Sequence, residues 1–380
     1  MKKKRIIALT VLLVMLAGVC SGCSRAVRLT YPENDAEVLL IPTGIKRYLD
    51  DMHTNMEETN VTDYSGIGKE RRISLTWDGK SDSYDIFLST NPDMSGAKKY
   101  TVNEPSFTPT CLLTNKVYYW QVKTDTSTSD VFCFQTDAST RWITVSGIAN
   151  VRDMGGYETA DGSVIRQGLL YRGTEMNNHY NISNAGKNTM LNELGIKTDL
   201  DLRWKNETSF YGTPLLESPL GQQVLYCNYP IAPYDRMLDS VTDNERDPSN
   251  PVYTREMMCK IFELLSDESN YPIYIHCFGG ADRTGCLCFI INGLLGASYT
   301  DLVADYEQTT FTPNVRTRDA NYEYTGENYG ELFSKFLEML RTCGEDGDSW
   351  QTLCEKYLRE IGVSDEQIRS IRNIMLEVQQ

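Results

Sequence analysis

Cys277 stands after a short apolar run, Tyr271 to His276, and is separated by five residues from Arg283. Arg283 is followed by Thr284 and Gly285, and then by the apolar stretch Cys286 to Leu295. The first run has the length and composition of a buried strand, and the second those of a helix. A loop between a strand and a helix N-terminus collects unpaired backbone N–H groups at the positive end of the helix dipole, and so attracts anions. The same field stabilises a thiolate, and cysteines so placed have pKa values lowered to roughly 3.5–7.5. A guanidinium at the loop's end can take two phosphate oxygens at once. A nucleophile, a ring of N–H donors and a bidentate cation in one loop are the apparatus for cleaving a phosphate ester through a cysteinyl-phosphate. A buried structural cysteine, the bland alternative, would call for none of the glycines, Arg283 or Thr284 at these offsets.

The string His276-Cys277-x5-Arg283-Thr284 resembles the signature loop of the cysteine-dependent protein tyrosine phosphatases. The longer string HCFGGADRTG is similar to the HCxAGKDRTG loop of their atypical bacterial branch. Three further blocks follow that branch in order. The first is Asn150-Val-Arg-Asp-Met-Gly-Gly-Tyr157, continuing through Asp161-Gly162 to Leu170-Tyr171-Arg172-Gly173. The second is Leu194-Gly195-Ile196 running into Asp201-Leu202-Arg203, and the third is Ile361-Gly-Val-Ser-Asp-Glu366. The resemblance covers roughly residues 140–380. It implies an α/β cysteine-phosphatase fold, a central sheet flanked by helices, that works without metal or cofactor.

Roles can then be placed on residues. Cys277 is the expected nucleophile. The backbone N–H groups of Phe278, Gly279, Gly280, Ala281, Asp282 and Arg283, with the Arg283 guanidinium, are expected to hold the phosphate oxygens. The glycines let the chain curl so that its N–H groups converge. Thr284 is expected to donate its hydroxyl to the Cys277 sulfur and improve it as a leaving group. His276 is expected to hold the loop's shape. The leaving oxygen needs a proton, and a nearby carboxylate is the usual donor. The resemblance implies an aspartate inside the loop for this, which is Asp282. Asp201 is a second candidate, with a structural salt bridge as its alternative. Asp235 and Asp239 lie in a polar stretch, 234–250, that reads as a lid or a solvated loop. Arg152 and Arg203 are candidates for facing the phosphate.

One position departs from the pattern: the lysine that usually precedes the loop aspartate is Ala281 here. Its loss lowers the case for multiply phosphorylated substrates and favours a singly charged site such as phosphotyrosine. A phosphorylated protein or small phosphate ester is the expected partner. Inositol phosphates or phosphoinositides are the first alternative, and a catalytically silent surface-binding protein is the second.

The 380-residue chain carries a formal net charge of −15 and 41% hydrophobic residues. So acidic a chain argues against nucleic acid or an anionic lipid surface as partner, and phosphate attraction must be local. Residues 1–23 read as a signal peptide: Lys2 to Arg5 form a positive start, and Ile6 to Val19 an apolar stretch too short to span a bilayer comfortably. The small residues before Cys23 resemble a bacterial lipobox, although Cys20 stands where leucine is usual. The expectation is an exported protein at the cell surface, anchored to the membrane by lipid on Cys23. Eleven cysteines could form a disulfide framework, yet none is read here, because Cys277 must stay a thiol. A bond between Cys111 and Cys133 is left open, and no spacing suggests zinc.

Ahead of the catalytic part, residues 26–137 read as a small all-β sandwich similar to a fibronectin type III module, with an unknown partner. Arg72–Trp77, Tyr84–Leu88, Lys116–Val122 and Val131–Phe134 are its expected strands, and Trp77, Tyr84 and Trp120 its core. The boundary is set at 137–140. Beyond it, strands are expected at 169–171 and 198–202, and helices at 188–194, 255–266, 301–309, 331–341 and 365–378.

Overall fold

The structure, a computed structural model, describes residues 26–209, 213–241, 253–313 and 329–378. Residues 1–23, expected to be a leader, and residues 242–250 of the polar stretch 234–250 lie outside these residues. The chain divides into two compact units: residues 1–37, 73–109 and 117–135, and residues 38–72, 110–116 and 136–380.

Eight strands run from the start of the described chain to residue 136: β1 (Arg28–Tyr31), β2 (Ala36–Val38), β3 (Leu75–Asp78), β4 (Tyr84–Ser89), β5 (Lys98–Val102), β6 (Ser106–Phe107), β7 (Val117–Lys123) and β8 (Phe132–Thr136). They form two sheets, β1-β3-β6 and β2-β8-β7-β4-β5. Alternation places Leu75 and Trp77, Tyr84 and Ile86, and Tyr118, Trp120 and Val122 in the interior. Trp77 from one sheet meets Tyr84 from the other edge-on at 5.3 Å, so the buried faces of the two sheets pack together.

The second unit corrects the simple boundary at 137–140. Residues 38–72 belong to it and contain helix α1 (Thr43–Asn55). Ile45, Tyr48, Leu49 and Met52 recur at helical spacing and lie in the core of this unit. The expected sandwich placed no element in this segment, because polar residues separate these apolar ones in the sequence.

The strands of this unit are β9 (Arg152–Asp153), β10 (Ser163–Ile165), β11 (Leu170–Gly173), β12 (Thr198–Asp201), β13 (Leu225–Asn228), β14 (Ile273–His276) and β15 (Leu376–Val378). Its remaining helices are α2 (Asn184–Asn188), α3 (Thr254–Leu265), α4 (Asp282–Leu295), α5 (Tyr299–Glu307), α6 (Tyr329–Thr342), α7 (Trp350–Ile361) and α8 (Asp365–Met375). The central sheet has the order β13-β12-β14-β11-β9. β14 lies in the middle, parallel to β12 and β11, with His276 opposite Asp201 on one side and Gly173 on the other. Period-two alternation feeds two cores. Ile273 and Ile275 join Leu200, Phe262 and Ile290 in the larger one. Tyr274 joins Tyr171, Met190 and Ile196 in the smaller. The result is an α/β layer fold, and the chain leaves β14 at the carboxyl end of the sheet's parallel strands, where ligands bind in such folds.

Several boundaries differ from expectation, among them the helix expected at 188–194, which begins at Asn184, and two more at the ends of α4 and α8. α4 begins at Asp282 rather than Cys286, so Asp282, Arg283 and Thr284 form its first turn. The final helix stops at Met375, and Leu376–Val378 pairs antiparallel with β10.

Candidate active site

Cys277 follows the last residue of β14 and is a free thiol, 2% exposed. The chain then turns through residues 277–281 into α4, and what shapes this turn is the fate of its carbonyls. The Cys277 carbonyl faces His276 Nδ1 at 3.1 Å. The Phe278 carbonyl accepts from the Glu175 N–H at 3.0 Å. The Gly279 and Gly280 carbonyls accept from Asn150 Nδ2 at 3.0 and 3.2 Å. Arg172 Nη2 adds a bond of 2.7 Å to the Gly280 carbonyl. With the carbonyls of residues 277–280 tied down in this way and that of Ala281 taken by the Gly285 N–H of α4, the N–H groups of residues 278–281 are left for the concave side, and they donate to no acceptor among the described residues. That is a nest of donors at the N-terminus of a buried helix, and it suits an oxyanion.

Gly280 is the one glycine of the turn whose necessity is plain. Its φ is +64°, and a Cβ there would lie 2.2 Å from the Gly173 carbonyl oxygen. Gly285 serves packing: a Cβ would lie 3.0 Å from the Tyr306 ring.

Behind the turn lies a buried ionic frame. Asp305 on α5 takes Arg172 Nη1 on one oxygen and Arg152 Nε, at 3.2 Å, on the other. Burial works against the Asp305 charge, but the two guanidiniums hold its carboxyl below the usual carboxylate range. Arg152 also binds the Asn150 side chain and the Asp305 carbonyl, and lies over Trp142. It is fully buried, so it braces the residue that holds the turn and does not face the phosphate cradle.

His276 is a scaffold residue. Its Nε2 meets Asp199 at 2.9 Å while Nδ1 faces the Cys277 carbonyl. Burial pushes its pKa down, but Asp201 and Asp199 push it up further, and the net value is raised. Asp201 is the salt-bridge residue of its two readings. It accepts from Arg203 Nε and Nη2 at 2.9 and 2.7 Å and from the Tyr226 hydroxyl at 2.9 Å. Burial would raise its pKa, but His276 and Arg203 hold it below the ordinary value, which suits a permanent anion and not a proton donor. Arg203 spends its remaining donors on Glu175 and Asn177, so it too supports the site from behind.

Arg283 lies in the first turn of α4 with Nη1 on Glu207 at 2.6 Å and its guanidinium 5.7 Å from the Trp204 ring centre. Its Nε and Nη2 donate to nothing among the described residues, which leaves one edge of the fork for an oxyanion. Thr284 departs from expectation. Its hydroxyl is buried and has no hydrogen-bond partner among the described residues, so the bond to the Cys277 sulfur is not formed. Asp282 accepts on Oδ1 from the Tyr234 hydroxyl. Asp235 is exposed, and Asp239 pairs with Arg236. Phe278, 42% exposed, rims the site with His179 at 4.8 Å and Tyr180 at 6.4 Å between ring centres. Cys111 and Cys133 are both free thiols. No cluster able to hold a metal ion occurs among the described residues.

Asn150 and Arg172 stood in motifs visible in the sequence without a role attached. Asp305, Glu207 and Tyr234 carried no sequence signal, because nothing in their neighbours' types announces what they touch.

Residues 143–377 match the model of the tyrosine phosphatase family. A curated relative from Cupriavidus necator, which carries a provisional tyrosine-protein phosphatase name, is 25% identical over 172 residues, or 42% of this chain and 59% of that protein. The core catalytic domain of the PP-IP phosphatase SIW14 from S. cerevisiae, in complex with citrate, is 18% identical over 39% of this chain and 79% of its own, with a TM-score of 0.25. A second structure of that catalytic core gives 18%, 39% and 78%, with a TM-score of 0.27. Neither score bears on fold or function.

Proposed function

The chain belongs to the tyrosine phosphatase family, and from that premise we propose that it is a cysteine-dependent phosphatase whose first substrate class is phosphotyrosine. The observation that carries the reading is the turn after β14, where Cys277 meets donors aimed inward by carbonyls tied outward. In the proposed reaction the Cys277 thiolate attacks phosphorus in line. The S–P bond forms as the P–O bond to the leaving group breaks. The N–H groups of the turn and the open edge of Arg283 stabilise the equatorial oxygens as charge develops. Asp282 gives its proton to the leaving oxygen, then as a carboxylate takes one from the water that attacks the phosphocysteine, releasing phosphate and the thiolate.

Two features support phosphotyrosine over inositol phosphates. Ala281 adds no cation beside the cradle for a second phosphate. The Phe278, His179 and Tyr180 rings give the mouth an aromatic rim suited to an aryl ester. The test is a substrate panel with Cys277→Ser as control. The proposal predicts turnover of phosphotyrosyl peptides that the variant loses. Turnover of phytate or phosphoinositides with none on phosphotyrosine would overturn the substrate class, and phosphate binding without turnover would overturn the enzyme. Export and lipid anchoring at Cys23 are part of the same proposal and rest on residues 1–23 alone. Labelling of cells with a fatty-acid probe, lost in Cys23→Ala, is the expected result; unchanged labelling or its absence in both would refute it. The first unit, residues 26–37, 73–109 and 117–135, is proposed as a spacer or docking module, and a substitution at an exposed position of it, such as Tyr31→Ser, should leave phosphotyrosyl-peptide turnover unchanged.

A further inference from the structure

The rim of the site and the turn that holds Arg283 come from separate stretches of chain, and two asparagines join them. Residues 176–182 close on themselves as a tight loop. The Ile182 N–H donates to the Met176 carbonyl at 3.0 Å, the Asn178 N–H donates to the Tyr180 carbonyl at 3.1 Å, and Asn177 bridges to Asn181. This loop carries His179 and Tyr180 against Phe278. At its base stands Glu175, fully buried, whose N–H donates to the Phe278 carbonyl. The Glu175 carboxylate accepts from the His179 N–H at 2.8 Å on Oε1 and from Arg203 Nη1 at 2.7 Å on Oε2.

The second stretch is the single turn Lys205–Glu207. Glu207 Oε2 accepts from the Trp204 N–H at 3.0 Å and from Arg283 Nη1 at 2.6 Å, so the place of this turn sets the place of the guanidinium. Carbonyls at the end of such a turn have no partner inside it, and here the loop supplies one for each. Asn178 Nδ2 donates to the Glu207 carbonyl at 3.0 Å and to Glu175 Oε2 at 3.3 Å. Asn177 Nδ2 donates to the Thr208 carbonyl at 2.6 Å and to Asn178 Oδ1 at 3.4 Å. Asn177 Oδ1 accepts from Arg203 Nη2 at 3.0 Å. The two amide orientations follow from chemistry, because a carbonyl only accepts and a guanidinium only donates. Arg203 Nη1 adds a longer contact to the Glu207 carbonyl at 3.4 Å.

We infer that Asn177 and Asn178 are positioning residues that tie the aromatic rim to the turn holding Arg283. The grip on the phosphate and the selection of an aryl ester then depend on one frame. The aryl preference rests on the phosphatase reading above, whereas the grip on an oxyanion can be read without turnover.

The test uses the full chain with Asn177→Ala, Asn178→Ala, Asn178→Asp and Tyr180→Ala, and with Tyr180→Ala combined with each asparagine-to-alanine change. Calorimetric titration with tungstate reads the oxyanion grip, and kcat/KM on phenyl phosphate against ethyl phosphate reads the aryl preference. Each asparagine-to-alanine change should weaken tungstate about fivefold, the worth of one such hydrogen bond. Asn178→Asp should weaken it further, because it sets an acceptor against the Glu207 carbonyl and the Glu175 carboxylate; a space-filling role would be preserved by aspartate. Tyr180→Ala should cut the preference for phenyl phosphate in the parent and add little once Asn178 is alanine, since coupled residues are not additive. Tungstate affinity within twofold of the parent in both asparagine-to-alanine variants, or effects of Tyr180 and Asn178 that simply add, would overturn the inference. A parent that binds tungstate and turns over neither ester would overturn the phosphatase reading, and the tungstate arm would still decide the tie. Where Asn178→Ala fails to fold, Asn177→Ala carries both arms.

Discussion

Replacing Gly280 by alanine imposes two separable penalties on the phosphate cradle. The φ of +64° costs an L-residue about 1–2 kcal/mol. The added Cβ would also stand 2.2 Å from the carbonyl oxygen of Gly173, whose strand β11 is paired with β14 and cannot retreat without breaking that ladder. Relief must come from the turn, which has to shift by about 1 Å, and a displacement of that size among catalytic groups costs about a hundredfold in rate. Gly195 isolates the first penalty, with a φ of +69° and no atom within 4 Å of a built Cβ. Both variants should lose about 1–2 kcal/mol in denaturant unfolding from the backbone term. Only Gly280→Ala should lose kcat/KM on p-nitrophenyl phosphate, by about a hundredfold or more. Activity within threefold of the parent in folded Gly280→Ala would refute the claim that this turn is held against β11.

Asp305→Asn leaves Arg152 and Arg172 buried without their counter-charge, and chemical denaturation should show a loss of about 3–5 kcal/mol. Phosphate affinity should fall with it, because Arg172 also holds the Gly280 carbonyl. His276 supplies a pH signature. Its folded pKa lies above the ordinary 6.5, so between those values the folded state holds the extra proton. Its contribution is complete below about 6.5 and is lost as pH rises through the folded pKa. Unfolding free energies measured at steps between pH 6 and 8 should therefore decline in the parent, and His276→Asn should flatten that decline; parallel slopes would contradict it.

The nucleophilic turn was legible in the sequence because its requirements are local. A strand, a helix start, Gly280 and Arg283 must stand at fixed spacing for N–H groups to converge on one point, and spacing is what a sequence records. The alternating strands β3, β4 and β7 were legible for the same reason. Long-range pairings were not. Arg152, Asp201 and Arg203 are charged residues in a recognisable motif, but whether a buried guanidinium meets a substrate or a carboxylate depends on Asp305 and Glu175, 153 and 28 residues away in sequence. Helix α1 was hidden because its apolar face covers the core of a unit that resumes at residue 110. Thr284 shows the limit of analogy. Its position in the first turn of α4 matches the pattern, yet its hydroxyl makes no hydrogen bond among the described residues.

The account's central claim is that Cys277 becomes covalently phosphorylated during turnover. Acid quenching during hydrolysis of p-nitrophenyl phosphate, followed by mass analysis of the peptide that contains residue 277, tests it most directly. The account predicts one phosphoryl group on Cys277 in the parent, and neither that adduct nor turnover in Cys277→Ser. Steady turnover in Cys277→Ser, or a phosphoryl group trapped on another residue, would contradict it.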